Sequence, residues 1–349
     1  MPRLRRSDCA APGIVRRKRG RGFEYVDESG ARIDDENTIE RIHALAIPPA
    51  WEDVWICSDP LGHIQATGAD ARHRKQYRYH DLWRERRDRQ KFASMTGFAR
   101  GLPKLRERVE RDLRKRSISR ERVLACAVRL LDRGFFRIGS EDYAEENETY
   151  GLATMRKRHV SVTGDSIVFD YEAKGGKRRV QTVGDRAISG MVRKLRSRGG
   201  GGHELLAYRD GNAWRDVRST DINDYIKETI GEGHSAKDFR TWNATVLAAV
   251  VLAAAARERD LSTKGGRARA KRDAVKQVAR YLGNTPAVCR ASYIDPQVFD
   301  RFDGGLTVGG VFERLPEDPA DWPEVQGPIE KAVLDLIERR ESPAIERVG

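Results

Sequence analysis

Apolar positions recur every second residue near the start of the chain and every three or four residues later on, so the change of period divides it in two. Gly22-Phe23-Glu24-Tyr25-Val26 alternates and runs into a Glu28-Ser29-Gly30 turn. Val54-Trp55-Ile56-Cys57 is followed by a Pro60-Leu61-Gly62 turn into His63-Ile64-Gln65-Ala66-Thr67. These strand-and-turn signals predict a small antiparallel sheet. From about Asp81 the pattern becomes long, charged and helical: Leu124, Ala127, Val128 and Leu131 fall on one helix face. The expected fold class is α+β, with a small N-terminal antiparallel β-sheet domain (1–87) and a larger, mainly α-helical domain (88–349). No Pro/Gly linker marks the junction near Arg87, so a helix can run across it.

One β interruption stands out in the second domain. His159-Val160-Ser161-Val162-Thr163, a Gly164-Asp165 turn and Ile167-Val168-Phe169-Asp170-Tyr171 lead to Lys174-Gly175-Gly176-Lys177 and a return strand through Val180. That hairpin would present Lys174 at an exposed tip. Gly199 to Gly202 predicts a flexible loop, 243–257 an alanine-rich helix, and 274–282 a helix stopped by Gly283. Arg267, Arg269, Lys271 and Arg272 fall before that helix and are expected to form a basic loop. The segment 311–349 carries ten acidic against five basic residues, a net charge of −5. It is expected to be a solvated acidic tail packed on the core, with one amphipathic helix near 329–339.

At 349 residues the chain is long enough for roughly two domains with a full apolar core. Lys and Arg outnumber Asp and Glu by 66 to 53, a formal charge of +13. Such an excess favours a polyanionic partner, which basic proteins bind largely by counterion release. The excess alone leaves a ribosomal protein or a membrane-surface binder open. Cys9, Cys57, Cys126 and Cys289 form no C-x-x-C pair and the seven histidines show no metal spacing, so neither a disulfide frame nor a zinc site is expected. The longest apolar run, 246–256, is too short for a bilayer and reads as a core helix. The opening Met1-Pro2-Arg3-Leu4-Arg5-Arg6 lacks an apolar signal-peptide core, and a cytoplasmic, nucleoid-associated protein is expected.

Taken singly, an arginine in Phe135-Phe136-Arg137-Ile138-Gly139, a lysine in a turn and a tyrosine near a proline are each ordinary. Together they are not. The segment Leu282-Gly283-Asn284-Thr285-Pro286-Ala287-Val288-Cys289-Arg290-Ala291-Ser292-Tyr293-Ile294-Asp295-Pro296 resembles the nucleophile motif of bacterial and poxvirus-like type IB DNA topoisomerases, with Asn284 nine positions before Tyr293. Residues 136–155 resemble that family's first arginine box, the Lys174 hairpin its lysine turn, and Lys237-Asp238-Phe239-Arg240-Thr241-Trp242 its second arginine box. The likeness continues at Ile47-Pro48-Pro49-Ala50-Trp51 and through 65–80, covering roughly residues 40 to 300 in the family's order.

The resemblance implies transient cutting of one DNA strand through Tyr293, a 3′-phosphotyrosyl link, and resealing with neither metal nor ATP. It implies catalytic roles for Arg137, Lys174, Lys237, Arg240 and Asn284, DNA contacts by Gln76, Tyr77 and Tyr79, and a phosphate contact by Tyr143. A monomer closing its two domains around duplex DNA, with no obligate protein partner, is the expected assembly. The chemistry agrees. A tyrosine with an ordinary pKa near 10 needs cations nearby to attack at neutral pH. The forks of Arg137 and Arg240 suit two phosphate oxygens. Asn284 stands where poxviral and eukaryotic relatives usually carry histidine; a neutral amide donates a hydrogen bond but shuttles no proton. Lys174 is the candidate general acid for the departing 5′-oxygen, since an ammonium on a flexible stem can reach the cleaved bond and yield its proton, with Lys237 as a candidate assistant. A tyrosine recombinase shares this set and is the alternative, although recombinases usually carry His-x-x-Arg where Lys237 stands. An architectural DNA binder would use the same basic surface without the chemistry. No Gly-x-x-x-x-Gly-Lys-Ser/Thr loop is present for a nucleotide.

Overall fold

The computed structural model describes residues 2–258, 261, 263–314 and 322–348, without the side chains at 142, 143, 147, 314 and 322–325. It forms two compact units, Met1–Lys91 and Phe92–Gly349.

The first unit is built on five strands, β1 (Ile14–Arg19), β2 (Gly22–Val26), β3 (Glu52–Ile56), β4 (Ile64–Ala69) and β5 (Lys75–Tyr79), with helix α1 (Glu36–Ala44) between β2 and β3. The sheet is antiparallel throughout, in the order β2-β1-β3-β4-β5. Ile14, Val54, Ile56 and Ala66 pack beneath Ile42 of the helix. Asp35 caps α1 by accepting from the Thr38 amide at 2.8 Å. Arg41 ties the helix to the sheet, donating to the buried Gln65 at 2.7 Å and to the Cys57 carbonyl at 2.9 Å. The expected sheet is present; β1 and α1 were not foreseen. Arg16, Arg17, Lys18 and Arg19 hide the alternation of β1 behind charge.

Helix α2 (Asp81–Leu113) opens within the first unit and continues into the second. The second unit continues with α3 (Arg120–Arg133), α4 (Glu141–Asn147), β6 (Val160–Thr163), β7 (Ser166–Ala173), β8 (Lys177–Gly184), α5 (Arg186–Ser197), β9 (Ala207–Asp210), β10 (Ala213–Asp216) and α6 (Ser219–Ile230). Then follow α7 (Ala236–Glu258), α8 (Lys264–Leu282), α9 (Pro286–Ser292), α10 (Pro296–Asp303), β11 (Leu306–Thr307), α11 (Trp322–Glu338) and β12 (Glu346–Arg347). Met95, Phe98, Leu102, Leu105 and Val109 keep helical spacing along α2 and enter one core with α3 and α7. β6, β7 and β8 form the expected antiparallel meander, with Lys174 in the turn between β7 and β8.

Helix α7 is longer than the alanine run suggested. Its 23 residues are long and apolar enough to match a membrane span, but Phe239, Trp242, Ala248, Ala249 and Leu252 are buried in the core. The expected basic loop is a correction. Arg267, Arg269, Lys271 and Arg272 lie in the first turns of α8, which Thr263 caps by accepting from the Gly266 amide at 3.0 Å. Arg, Lys and Ala are good helix formers, and Ala270 is fully buried beneath the charges.

The acidic tail needs a second correction: its helix α11 is part of the core, not an appendage. Ala332, Val333, Leu336 and Ile337 are buried. Glu330 accepts from Arg106 at 2.7 and 2.8 Å, and the same guanidinium grips Asp132 of α3 at 2.7 and 2.8 Å. Removing the cation from two buried carboxylates is costly. Arg106→Ala is expected to destabilise the second unit by about 3–5 kcal/mol, the usual penalty for breaking a buried ion pair. Urea unfolding checks this; a loss under about 1 kcal/mol would show the carboxylates to be well solvated.

Candidate active site

The residues expected to do chemistry come from four stretches of the second unit that meet at the C-terminal end of α8. Gly283 ends that helix in the left-handed region, at φ +63°. The backbone then turns through Asn284, whose amide donates to the Ala279 carbonyl at 3.1 Å. Thr285 caps α9, with Pro286 at its first position, and Tyr293 is the residue on which α9 stops. The Asp295 cap of α10 follows at once, so the tyrosine occupies a break between two short helices. The fully buried Thr245 of α7 holds that break: its hydroxyl accepts from the Asp295 amide at 3.1 Å and lies 3.3 Å from the Tyr293 carbonyl.

Arg240, one turn into α7, is almost completely buried. It donates to the Phe135 carbonyl and, at 3.0 Å, to the Leu282 carbonyl. Its guanidinium carbon lies 5.4 Å from the centre of the Tyr293 ring. Its Nε–H finds no acceptor among the described residues, a buried donor that an anionic oxygen would satisfy. Burial, with Arg137 nearby, pulls the Arg240 pKa down to about 10. Arg137 donates to the side-chain oxygen of Asn284. The amide orientation follows from that bond: with its oxygen taken, Asn284 turns its NH2 toward the Tyr293 hydroxyl. Burial works against ionising Tyr293. Arg240, the Asn284 hydrogen bond and Arg137 outweigh it, so the phenol lies below its ordinary pKa.

Beside this cluster lies a cleft of about 810 Å³, lined by Arg137, Asn284, Lys174 and the two strands of the lysine hairpin. Eight of its nineteen lining residues are Arg or Lys and none is acidic, a composition that suits a polyanion. Lys174 is exposed at the hairpin tip and faces this cleft. Lys237 is exposed on the first turn of α7 and is not among the lining residues.

A family model of the catalytic core of eukaryotic DNA topoisomerase I matches residues 80–303, and one of the bacterial DNA topoisomerase IB N-terminal domain matches residues 22–70. The chain belongs to the type IB DNA topoisomerases. It is 32% identical over 318 residues to DNA topoisomerase 1B of Acanthamoeba polyphaga mimivirus, spanning 89% of this chain and 93% of that one. To DNA topoisomerase I of monkeypox virus it is 24% identical over 145 residues, 40% of this chain and 46% of the viral one. To DNA topoisomerase 1 beta of Arabidopsis thaliana it is 23% identical over 178 residues, 51% of this chain and 18% of the plant protein. Membership of this family sets aside the recombinase and the architectural binder.

In this topoisomerase the structure gathers Tyr293, Arg240, Arg137 and Asn284 into one contact network and places Lys174 on the adjoining cleft. Gln76, Tyr77 and Tyr79 are on β5, in the first unit. Lys75, Tyr77 and Tyr79 alternate onto an exposed face of this edge strand, with the two tyrosine rings stacked 6.0 Å apart. Gln76 donates to Asp70 at 3.0 Å. The tyrosines do not pack the small core. The side chain of Tyr143, on α4, lies outside the described residues. Two residues at the site escaped the sequence reading, Arg179 on β8 and Tyr171 opposite it on β7. The alternation of the hairpin signals them, since a doublet of arginines in a return strand must send one to each face.

Proposed function

We propose that this chain relaxes supercoiled duplex DNA as a monomer, using Tyr293 as nucleophile and Arg137, Arg240, Asn284 and Lys174 as its catalytic partners, with no metal and no ATP. The observation that carries the reading is the convergence of Arg240, Asn284 and Arg137 on one phenol, which favours the phenolate despite burial. Tyr293 gives up its proton to solvent and its oxygen attacks the phosphorus. The bond from phosphorus to the 5′-oxygen breaks, Lys174 protonates that oxygen, and the strand stays attached as a 3′-phosphotyrosyl ester. Arg137 and Arg240 stabilise the charge on the non-bridging oxygens during transfer. The broken strand turns about the intact one, and the 5′-hydroxyl then reverses the attack. One ester is exchanged for another, so the bond energy is kept and no nucleotide is needed. Gln76, Tyr77 and Tyr79 contact the duplex from the edge of the first unit's sheet. Lys237 is the weaker candidate for assisting protonation, since it is exposed and is not among the residues lining the cleft.

The test is supercoiled plasmid with purified protein, EDTA and no ATP. Relaxation of both positive and negative supercoils is expected, with an SDS-trapped adduct at a DNA 3′ end. Absence of relaxation across a salt series, or a strict need for magnesium or ATP, overturns the proposal.

A further inference from the structure

The C-terminal end of α8 is held by three arginines, and only two of them belong to the proposed chemistry. Arg137 grips Asn284, and Arg240 takes the Leu282 carbonyl. The preceding carbonyl, that of Tyr281, accepts from Arg179 of β8. A helix C-terminus carries partial negative charge and unsatisfied carbonyls, so two guanidiniums on consecutive carbonyls fix its position.

Arg179 is well placed to tie this end to the lysine hairpin. It sits on the third pair from the turn, opposite Tyr171, while Ala173 and Lys177 form the last pair before the tip. Its Nε donates to the Gln181 side chain at 3.1 Å, on its own strand, and Tyr171 is its cross-strand partner in the hairpin. A Cβ placed on Gly283 would collide with Nη1, so the guanidinium packs directly against the turn that presents Asn284. Two groups of its own protein engage the guanidinium, one on its own strand and one at a helix end. Such a fork acts through what it holds, and a lysine cannot replace it because a point charge lacks the rigid fork that spans both.

We propose that Arg179 is a positioning residue that latches the Lys174 hairpin to the end of α8, setting the proton donor in register with Asn284 and Tyr293. The inference rests on the reading that Lys174 protonates the leaving 5′-oxygen. Because Lys174 stands on a turn whose Gly175 and Gly176 both have positive φ, the tip takes its position from the ladder beneath it. Loosening Arg179 displaces the donor, and a displacement of about 1 Å costs roughly a hundredfold in rate.

The experiment is single-turnover cleavage of a short duplex oligonucleotide with an ordinary scissile bond, or with sulfur as the bridging 5′ atom. Sulfur is a leaving group that needs little protonation. The enzymes are wild type, Lys174→Ala, Arg179→Ala, Arg179→Lys, Arg179→Gln and the Lys174→Ala/Arg179→Ala double variant, each with its thermal midpoint. Arg179→Ala is expected to slow the ordinary substrate roughly a hundredfold and the sulfur substrate only a few-fold. The double variant should be no slower than Lys174→Ala alone, because a latch without its lysine has nothing left to position. Arg179→Lys should stay near the alanine variant. Arg179→Gln keeps volume and carries the same comparisons if the alanine variant melts early. Losses that multiply in the double variant, equal losses on the two substrates, or full activity in Arg179→Lys overturn the latch. If Lys174→Ala is sulfur-selective and Arg179→Ala is not, only the latch fails. If Lys174→Ala itself slows both substrates equally, the acid assignment fails and takes the latch with it.

Discussion

Tyr293→Phe is expected to form no covalent DNA adduct and to lose relaxation by at least about 10⁴-fold, as when a covalent catalyst loses its nucleophile. The change removes one oxygen and little else. The ring keeps its place beside Arg240, and the backbone holds that Thr245 makes to residues 293 and 295 do not involve the hydroxyl. DNA affinity should therefore stay within a few-fold of wild type and the thermal midpoint should hardly move. A rival nucleophile under the same cations is Tyr171, whose pKa Arg179, Arg240 and Arg137 each pull down. Burial raises the Tyr171 pKa in spite of these cations. It should not substitute. Electrophoresis of SDS-trapped reactions with labelled DNA gives the answer; an adduct in the variant that maps to Tyr171 or any other tyrosine would overturn the assignment.

The sequence showed the chemistry more clearly than the geometry that organises it. Tyr293, Asn284, Arg137 and Arg240 stand in short motifs with fixed spacing, and three of them, Asn284, Tyr293 and Arg240, are bound to a helix end or helix start that local sequence encodes. Asn284 follows a helix-ending glycine, and Tyr293 lies between two capped helices. Strand alternation gives Arg179 a face of the hairpin but no motif of fixed spacing. Its importance comes from pairing with Tyr171 and from reaching the Tyr281 carbonyl, 102 residues away along the chain, and periodicity does not report such distances. The basic segment of α8 reads as a loop for the opposite reason. Its burial rests on small alanines, so the apolar stripe is too faint to show between the charges, and Gly265 and Gly266 suggest a loop where Thr263 in fact begins a helix. In α11 a strong acidic excess hid a stripe that the core absorbs, with Glu330 compensated by an arginine 224 residues away along the chain.

Arg240→Ala should produce the second-largest loss, about 10³- to 10⁵-fold in single-turnover cleavage, the range for removing an arginine that stabilises phosphoryl transfer. Part of that loss acts on phosphate oxygens and part on the nucleophile, and pH separates them. In the wild type, burial raises the Tyr293 pKa while Arg240 is the largest influence lowering it. Without Arg240 the burial remains and its main opponent is gone, so the phenol's pKa must rise. Phenolate is the reactive form, and its fraction at a given pH falls as that pKa rises. The ascending limb of the cleavage rate against pH should therefore move to higher pH in Arg240→Ala, and alkaline conditions should recover part of the rate. Arg240→Lys restores a cation but cannot serve the Phe135 and Leu282 carbonyls and a phosphate oxygen together, so it should recover the pH limb better than the rate. If the limb stays put while the rate falls, Arg240 acts on phosphate alone and the cationic activation of Tyr293 is wrong. If neither changes, Arg240 is only a strut between Phe135 and the end of α8, and the site must draw its charge from Arg137.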